Sequence, residues 1–358
     1  MNNLQQLAQL GQSIWYDNIS RGLITKGELK KMVDEGLLGV TSNPTIFDKA
    51  ISGSTDYDAQ IRELVEKNPG IDAGEIIQAL MVKDIQMACD VLRPVYDRTK
   101  GGDGFISIEV TPNKARDTKA TSQEVRELWA KVNRPNLMVK IPSTKEGLPA
   151  IEQAIYEGSN INVTLIFSVE RYVEVADAYI RGLERRVKEG KPVDGIASVA
   201  SVFVSRIDTL VDELLAKKNA DKSLMGKVAV ANTKMVYQAF KQMFGASRFK
   251  VLEAKGARVQ RPLWGSTGTK NPAYPDLLYV DTLIGPHTVN TVPPSTYTAI
   301  LDHSKPAVTV GNDLEGAGNA LAAVAAAGID MKLVLQKLED DGVAAFEKSF
   351  DGLYANLT

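Results

Sequence analysis

The sequence predicts an α/β fold, a (β/α)8 TIM barrel with additional C-terminal helices, on three observations. Short apolar runs, each closed by a polar residue and followed by a longer helical pattern, recur over the first ~290 residues, which is how alternating strands and helices read. Eight such runs are present and no linker-like stretch separates them, so residues 1–358 read as one barrel domain. Beyond Pro293–Pro294 the pattern is helical only, and about 295–358 is expected to pack on the barrel and fold back over its mouth. A doubly wound sheet is the other architecture that the alternation allows.

The first strand is read at Ser13–Asp17 and the second at Leu37–Thr41, which leads into Ser42–Asn43–Pro44. A helix from about Ile71 to Arg98 follows, with Ile76, Ile77, Leu80, Met81 and Ile85 at helical spacing. The third strand, Gly104–Val110, carries Glu109 among apolar residues. A helix opened by Thr121 or Ser122, with Glu124 near its start, precedes the fourth strand, Leu137–Ile141. The fifth is Ile161–Phe167, after which Ser168 caps a helix running to about Lys188. The sixth is Gly195–Val204, the seventh Arg258–Trp264 and the eighth Leu277–Ile284. Helical patterns at Ile207–Ala216 and Met225–Phe244 separate the sixth and seventh, with Val251–Leu252 a short extra strand. The C-terminal helices are expected at Ser295–Leu301, Leu314–Ala327 and Asp330–Phe350.

Composition narrows the chemistry. A net charge of −2 with 24% charged and 44% hydrophobic residues describes an ordinary globular chain and points away from nucleic acid. No stretch approaches the roughly 18 apolar residues of a membrane span, and the N-terminus lacks a basic segment followed by an apolar run, so a cytoplasmic location is expected. Cys89 is the only cysteine and lies in a helical pattern, which leaves no intrachain disulfide and no thiolate metal cluster. With His287 and His303 the only histidines, sites built from several imidazoles are also excluded. Lysine and carboxylates remain for catalysis.

The fourth strand is the informative one. Pro135 and Pro142 bound it, and alternation puts Met138 and Lys140 on one face with Leu137 and Val139 on the other. A lysine so placed either snorkels from the strand end into solvent or is held where burial favours the neutral amine that attacks a carbonyl to form a Schiff base. In this fold the chemistry gathers at the C-terminal ends of the strands. Asp17, Thr41 with Asn43, Glu109, Lys140, Asn162 with Thr164, Ser201 and Ser266 all fall at or near such ends, a convergence that calls for a polar ligand.

These segments carry a resemblance. Ile14–Asp17, Gly39–Phe47, Ser107–Val110, Met138–Pro142, Asn162–Ser168, Ala200–Asp208 and Arg261–Gly268, in this order and over essentially the whole chain, resemble the transaldolases, specifically the long bacterial type. The resemblance implies transfer of a dihydroxyacetone unit from sedoheptulose 7-phosphate or fructose 6-phosphate to glyceraldehyde 3-phosphate or erythrose 4-phosphate, in the non-oxidative pentose phosphate pathway. It implies no metal and no organic cofactor. Lys140 matches the Schiff-base lysine, Glu109 the acid/base that works through a bound water, and Asp17 the carboxylate that takes the C4 hydroxyl proton. Asn43, Asn162 and Thr164 would hold the substrate's hydroxyls and the water, Ser201 would bind the dihydroxyacetone end, and Thr41 and Ser266 are further substrate-binding candidates.

Phosphate binding departs from the family pattern. Arg206 matches a phosphate arginine, but where many members have an arginine two residues after the last site serine, here Ser266 is followed by Thr267, Gly268, Thr269 and Lys270. Lys270 is preferred to Arg261 as the second charge, since the Ser-Thr-Gly-Thr turn also offers backbone donors. The expected partners are sugar phosphates, not nucleic acid or membrane, and the chain is expected as a monomer or homodimer. Two other functions stay open: a fructose 6-phosphate aldolase-like lyase of the same fold, and a non-catalytic sugar-phosphate-binding barrel.

Overall fold

Eight strands close a parallel barrel in sequence order in the computed structural model, which describes residues 1–357. They are β1 (Gln12–Tyr16), β2 (Gly39–Val40), β3 (Phe105–Glu109), β4 (Leu137–Pro142), β5 (Ile161–Ile166), β6 (Ser198–Phe203), β7 (Arg261–Gly265) and β8 (Thr288–Val292). β8 pairs with β1 from Gln12–Thr288 to Tyr16–Val292 and so removes the free sheet edge. The strands read as apolar on their outer face because helices cover them there.

Side chains two apart on a strand point the same way. Trp15, Phe105, Met138, Val199, Leu263 and Val289 accordingly form an apolar plug inside the barrel, separate from the larger core between strands and helices. Two or four residues further along the same faces stand Asp17, Glu109, Lys140, Ser201 and Thr291. The plug dictates Gly39: a Cβ there would lie 2.5 Å from Cδ2 of the Trp15 indole, so any side chain on β2 at this point would displace the ring.

The eighth strand corrects the sequence reading. The apolar run 277–284 holds the short helix Leu278–Asp281, and its buried Leu277, Val280, Leu283 and Ile284 recur at helical spacing. The true β8 reads Thr-Val-Asn-Thr-Val, and it can be buried because its polar groups are paired. Thr288 Oγ1 donates to the Gly285 carbonyl at 2.6 Å, and Asn290 accepts from Thr267 at 2.8 Å and donates to the Tyr279 carbonyl at 3.1 Å. Val251–Leu252 is helical too, within Ser247–Glu253. The helix before β4 begins at Thr118 under an Asp117 cap, not at Thr121 or Ser122, because Asp117 accepts from the amides of Lys119 and Ala120. Ser168 does cap Val169–Lys188, accepting from the Arg171 amide at 3.0 Å.

After β8 come the helices Pro294–His303, Leu314–Ala326 and Met331–Leu357. The last of these crosses the mouth. Gly342 lets it approach β5, since a Cβ there would lie 2.8 Å from Leu165 Cδ2. Leu165 itself is left-handed, at φ 60°, where the β5–β6 register shifts between Val163 and Ile166. This conformation costs a non-glycine residue about 1–2 kcal/mol, and it turns the leucine toward the C-terminal helix. A buried ion pair, Arg171 to Glu339 at 3.2 Å, fastens the same helix one turn earlier. Among the described residues no single helix is long and apolar enough to cross a membrane.

Candidate active site

The C-terminal ends of the strands enclose a cavity of about 130 Å³ whose walls include Asp17, Thr41, Asn43, Lys140, Thr164 and Ser201. Arg206, Ser266, Lys270 and, from the C-terminal helix, Phe346 complete its rim. Lys140 is no snorkelling lysine: its side chain is 5% exposed. Its Nζ donates to the Ser42 carbonyl at 2.9 Å and lies 3.2 Å from Glu109 Oε2. β3 and β4 set this pair directly, because Glu109 and Lys140 are opposite each other in register. The contact is an ion pair without hydrogen-bond alignment, and both Glu109 oxygens are buried without a hydrogen-bond partner among the described residues. The Thr164 hydroxyl is in the same condition. Buried polar groups are almost always paired, so such a cluster marks a place where something else binds.

Asp17 stands just past the end of β1, with its amide on the Val292 carbonyl at 2.9 Å. Thr41 donates to its Oδ1 at 2.7 Å and, with its own proton so committed, accepts from Thr291 at 2.5 Å. Burial holds the Asp17 carboxyl above the usual aspartate range, against the opposing pull of Lys140, the Thr41 hydrogen bond, Lys270 and Arg206. Burial raises Glu109 as well, opposed by Lys140 and assisted by the negative charge of Asp17. The two acids therefore hold protons more readily than surface carboxylates do.

Not every expected residue faces the cavity. Asn162 lies below its wall, where its amide donates to Ser107 at 3.0 Å and accepts from Ser201 at 2.6 Å, so it fixes the orientation of Ser201. Glu109 sits behind Lys140. Asn43 is on the wall, but its Oδ1 caps the helix Pro44–Ser52 by accepting from the Ile46 amide at 3.0 Å. Ser266 has φ 52° and shares a 2.9 Å hydrogen bond with Ser205. Arg261 is at the opposite end of the barrel, donating to Ser13 and to the Thr288 carbonyl, both at 2.7 Å, and pairing with Asp103. Thr291, Phe203 and Phe346 line the cavity without having been foreseen. Thr291 could have been found from the alternation in Thr-Val-Asn-Thr-Val ahead of Pro293–Pro294.

A barrel whose mouth holds a buried lysine beside a buried glutamate, with a half-buried aspartate on the same cavity, is an enzyme scaffold fitted to carbonyl chemistry. Residues 14–357 match the transaldolase/fructose-6-phosphate aldolase family. A transaldolase of Trichodesmium erythraeum is 47% identical over 369 residues, covering 99% of this chain and 97% of the relative. One of Acidothermus cellulolyticus is 48% identical over 361 residues, covering 99% and 96%. A solved 2,3-dimethylmalate lyase aligns with a TM-score of 0.28 at 10% identity over 98% of this chain and 96% of its own, a likeness on which nothing rests. The chain belongs to the transaldolase/fructose-6-phosphate aldolase family and is an enzyme of the transaldolase type.

Proposed function

We propose that the enzyme transfers a dihydroxyacetone unit from sedoheptulose 7-phosphate or fructose 6-phosphate to glyceraldehyde 3-phosphate or erythrose 4-phosphate, through a Schiff base on Lys140. The observation that carries this reading is the Lys140 amine, 3.2 Å from Glu109 Oε2 and on the wall of a cavity that Asp17 also lines. Glu109, held above its ordinary range by burial, is suited to accept the proton that Lys140 must lose before its lone pair attacks the ketose carbonyl. The carbinolamine then loses its hydroxyl as water, with the proton returned from Glu109, and a protonated imine remains.

Asp17 takes the proton of the C4 hydroxyl. The C3–C4 electron pair moves into the imine, the aldose leaves, and an enamine stays on Lys140. An acceptor aldehyde reverses these steps, and hydrolysis frees the new ketose. The protonated imine is itself the electron sink, so the reaction calls for no metal and no organic cofactor. Arg206 and Lys270 at the rim are the cations for the phosphate. Thr41, Asn43, Thr164, Ser201 and Ser266 border the sugar, with Asn162 holding Ser201. We also read the whole chain as one functional domain, cytoplasmic, monomeric or homodimeric, and without nucleic-acid or membrane partners. Its net charge of −2 and the C-terminal helix completing the mouth support this.

Acceptor dependence tests the function. Fructose 6-phosphate alone is expected to give no sustained turnover, whereas added erythrose 4-phosphate gives sedoheptulose 7-phosphate. Steady release of dihydroxyacetone without an acceptor marks a lyase instead, and binding without turnover marks an inactive barrel.

The pH profile tests the Asp17 role. Asp17 works ionised, and the Thr41 hydrogen bond stabilises the anion, so Thr41→Val is expected to raise its pKa. As pH falls, the variant then loses kcat/KM at a higher pH than the parent enzyme does, by about one to two pH units for a hydrogen bond to a charged group. An acid limb left in place, or moved down, removes Asp17 from the titrating step.

A further inference from the structure

The helix Ser205–Lys217 starts in the mouth with Arg206 and carries Asp208 in the same first turn and Asp212 one turn further on. Facing it is the segment after β7, which brings Ser266, Gly268 and Lys270 to the cavity and then runs to Tyr274 and Tyr279. Tyr274 Oη donates to Asp212 Oδ2 at 2.6 Å, and Tyr279 Oη donates to Asp208 Oδ2 at 2.8 Å. The other oxygen of each carboxylate accepts a backbone amide, from Gly226 at 3.1 Å and from Ala229 at 2.7 Å. Two aspartates of the Arg206 helix thus grip the segment that carries Lys270.

The two grips differ. Tyr279 and Asp208 are both buried, as a structural contact would be. Residues 270–273, 275 and 276 are exposed, and Tyr274 is the half-buried anchor among them. Its ring lies so close on Gly226, at φ 71°, that a Cβ there would be 2.7 Å from the ring Cζ. Other ties from this stretch are Thr269 Oγ1 to the Pro275 carbonyl at 2.9 Å, which folds the loop on itself, and the exposed Asp276–His303 contact at 3.1 Å. Inside the loop, Lys270 turns back toward the cavity: its Nζ is 3.8 Å from where a Gly268 Cβ would stand. Neither Arg206 nor Lys270 has a hydrogen bond or ion pair among the described residues, although Arg206 lies 5.2 Å from the centre of the Phe203 ring.

We propose that the Tyr274–Asp212 hydrogen bond, seated on Gly226, is a positioning contact for the substrate's phosphate, holding Lys270 across the mouth from Arg206 so that both cations meet one phosphate group. Lys270 is a point charge on a flexible stem, so it needs an ordered loop where an arginine fork would bring its own geometry. Gly268 is required by Pro293, whose Cγ would lie 3.0 Å from a Cβ there, so the turn that carries Lys270 packs tightly on the start of the helix after β8. The inference rests on Arg206 and Lys270 being the phosphate-binding pair.

Steady-state kinetics of Tyr274→Phe, with inorganic phosphate as competing ligand, test it. KM for fructose 6-phosphate and Ki for phosphate are expected to rise together by about five- to tenfold, the effect of one lost hydrogen bond. The saturated kcat and the kcat/KM for unphosphorylated fructose stay within about twofold. In a Lys270→Ala background, Tyr274→Phe is expected to add nothing, because the contact acts through Lys270. Unchanged KM and Ki overturn the proposal. So does an equal penalty on both donors, or an additive effect in the double variant, since either makes Tyr274 merely structural. Arg206→Ala tests the underlying reading separately: it is expected to weaken phosphorylated donors alone, and an equal loss for fructose removes the phosphate pair itself, whatever Tyr274→Phe does.

Discussion

Borohydride added to the enzyme with fructose 6-phosphate is expected to fix a sugar fragment on Lys140 and on no other lysine, and Lys140→Ala is expected to abolish both labelling and transfer. Lys140 is the buried amine of the mouth, whereas Lys270, the other lysine on its wall, is exposed and carried by a loop. Without the amine there is no imine, hence no sink for the C3–C4 electrons, and a loss of at least about 10⁴-fold follows for a covalent catalyst. The fold is expected to survive. Breaking a buried ion pair usually destabilises by about 3–5 kcal/mol because a charge is left behind, but Glu109 can take up a proton, toward which its burial already biases it. The sign follows from the raised carboxyl pKa: the variant is more stable at lower pH, where Glu109 is protonated, and weakens as pH rises through that pKa. Peptide mass mapping after reduction, with circular dichroism of Lys140→Ala as control, checks both parts. A label on Lys270, or a folded Lys140→Ala that still transfers, removes Lys140 from the chemistry.

Lys140 was legible because two prolines bound its strand and a period of two places it on the face of Met138. Asp17, Glu109 and Ser201 could be read for the same reason, since each follows an apolar plug residue by two or four positions. That rule failed where a strand was not apolar. The run at 277–284 outscored Thr288–Val292 in hydrophobicity because its Leu, Val and Ile pack as a helix, while β8 buries polar side chains that find partners. Thr291, which completes the Asp17–Thr41 chain of hydroxyls, was lost with it. Asn43 and Asn162 were read as site residues, but composition could not show that one caps a helix and the other holds Ser201 from below. Lys270 was preferred to Arg261 for the backbone donors of its turn, whereas the structure sets the two at opposite ends of the barrel. Arg261 opens β7 and Lys270 follows it, and only the strand direction separates them.

Asp17→Asn and Glu109→Gln are expected to fail at different steps, and the mass of the trapped adduct tells them apart. Asparagine at 17 can still accept the Thr41 hydrogen bond but cannot take a proton from the C4 hydroxyl. The imine therefore forms and the C–C bond stays intact, so borohydride fixes the whole six-carbon phosphate on Lys140 where the parent enzyme yields the three-carbon dihydroxyacetone residue. Transfer falls by roughly 10²–10⁴-fold, the ordinary range for a lost general base. Glutamine at 109 removes the group that exchanges protons with Lys140 and with the departing water. It also leaves the Lys140 ammonium without its 3.2 Å counter-charge, so formation of any imine slows by a similar factor and little adduct of either mass accumulates. The proposed division rests on placement: Glu109 is beside the amine behind the cavity wall, while Asp17 lines the cavity itself. If both variants lose trapping equally, or if Asp17→Asn yields the three-carbon adduct, the two carboxylates have been given the wrong tasks.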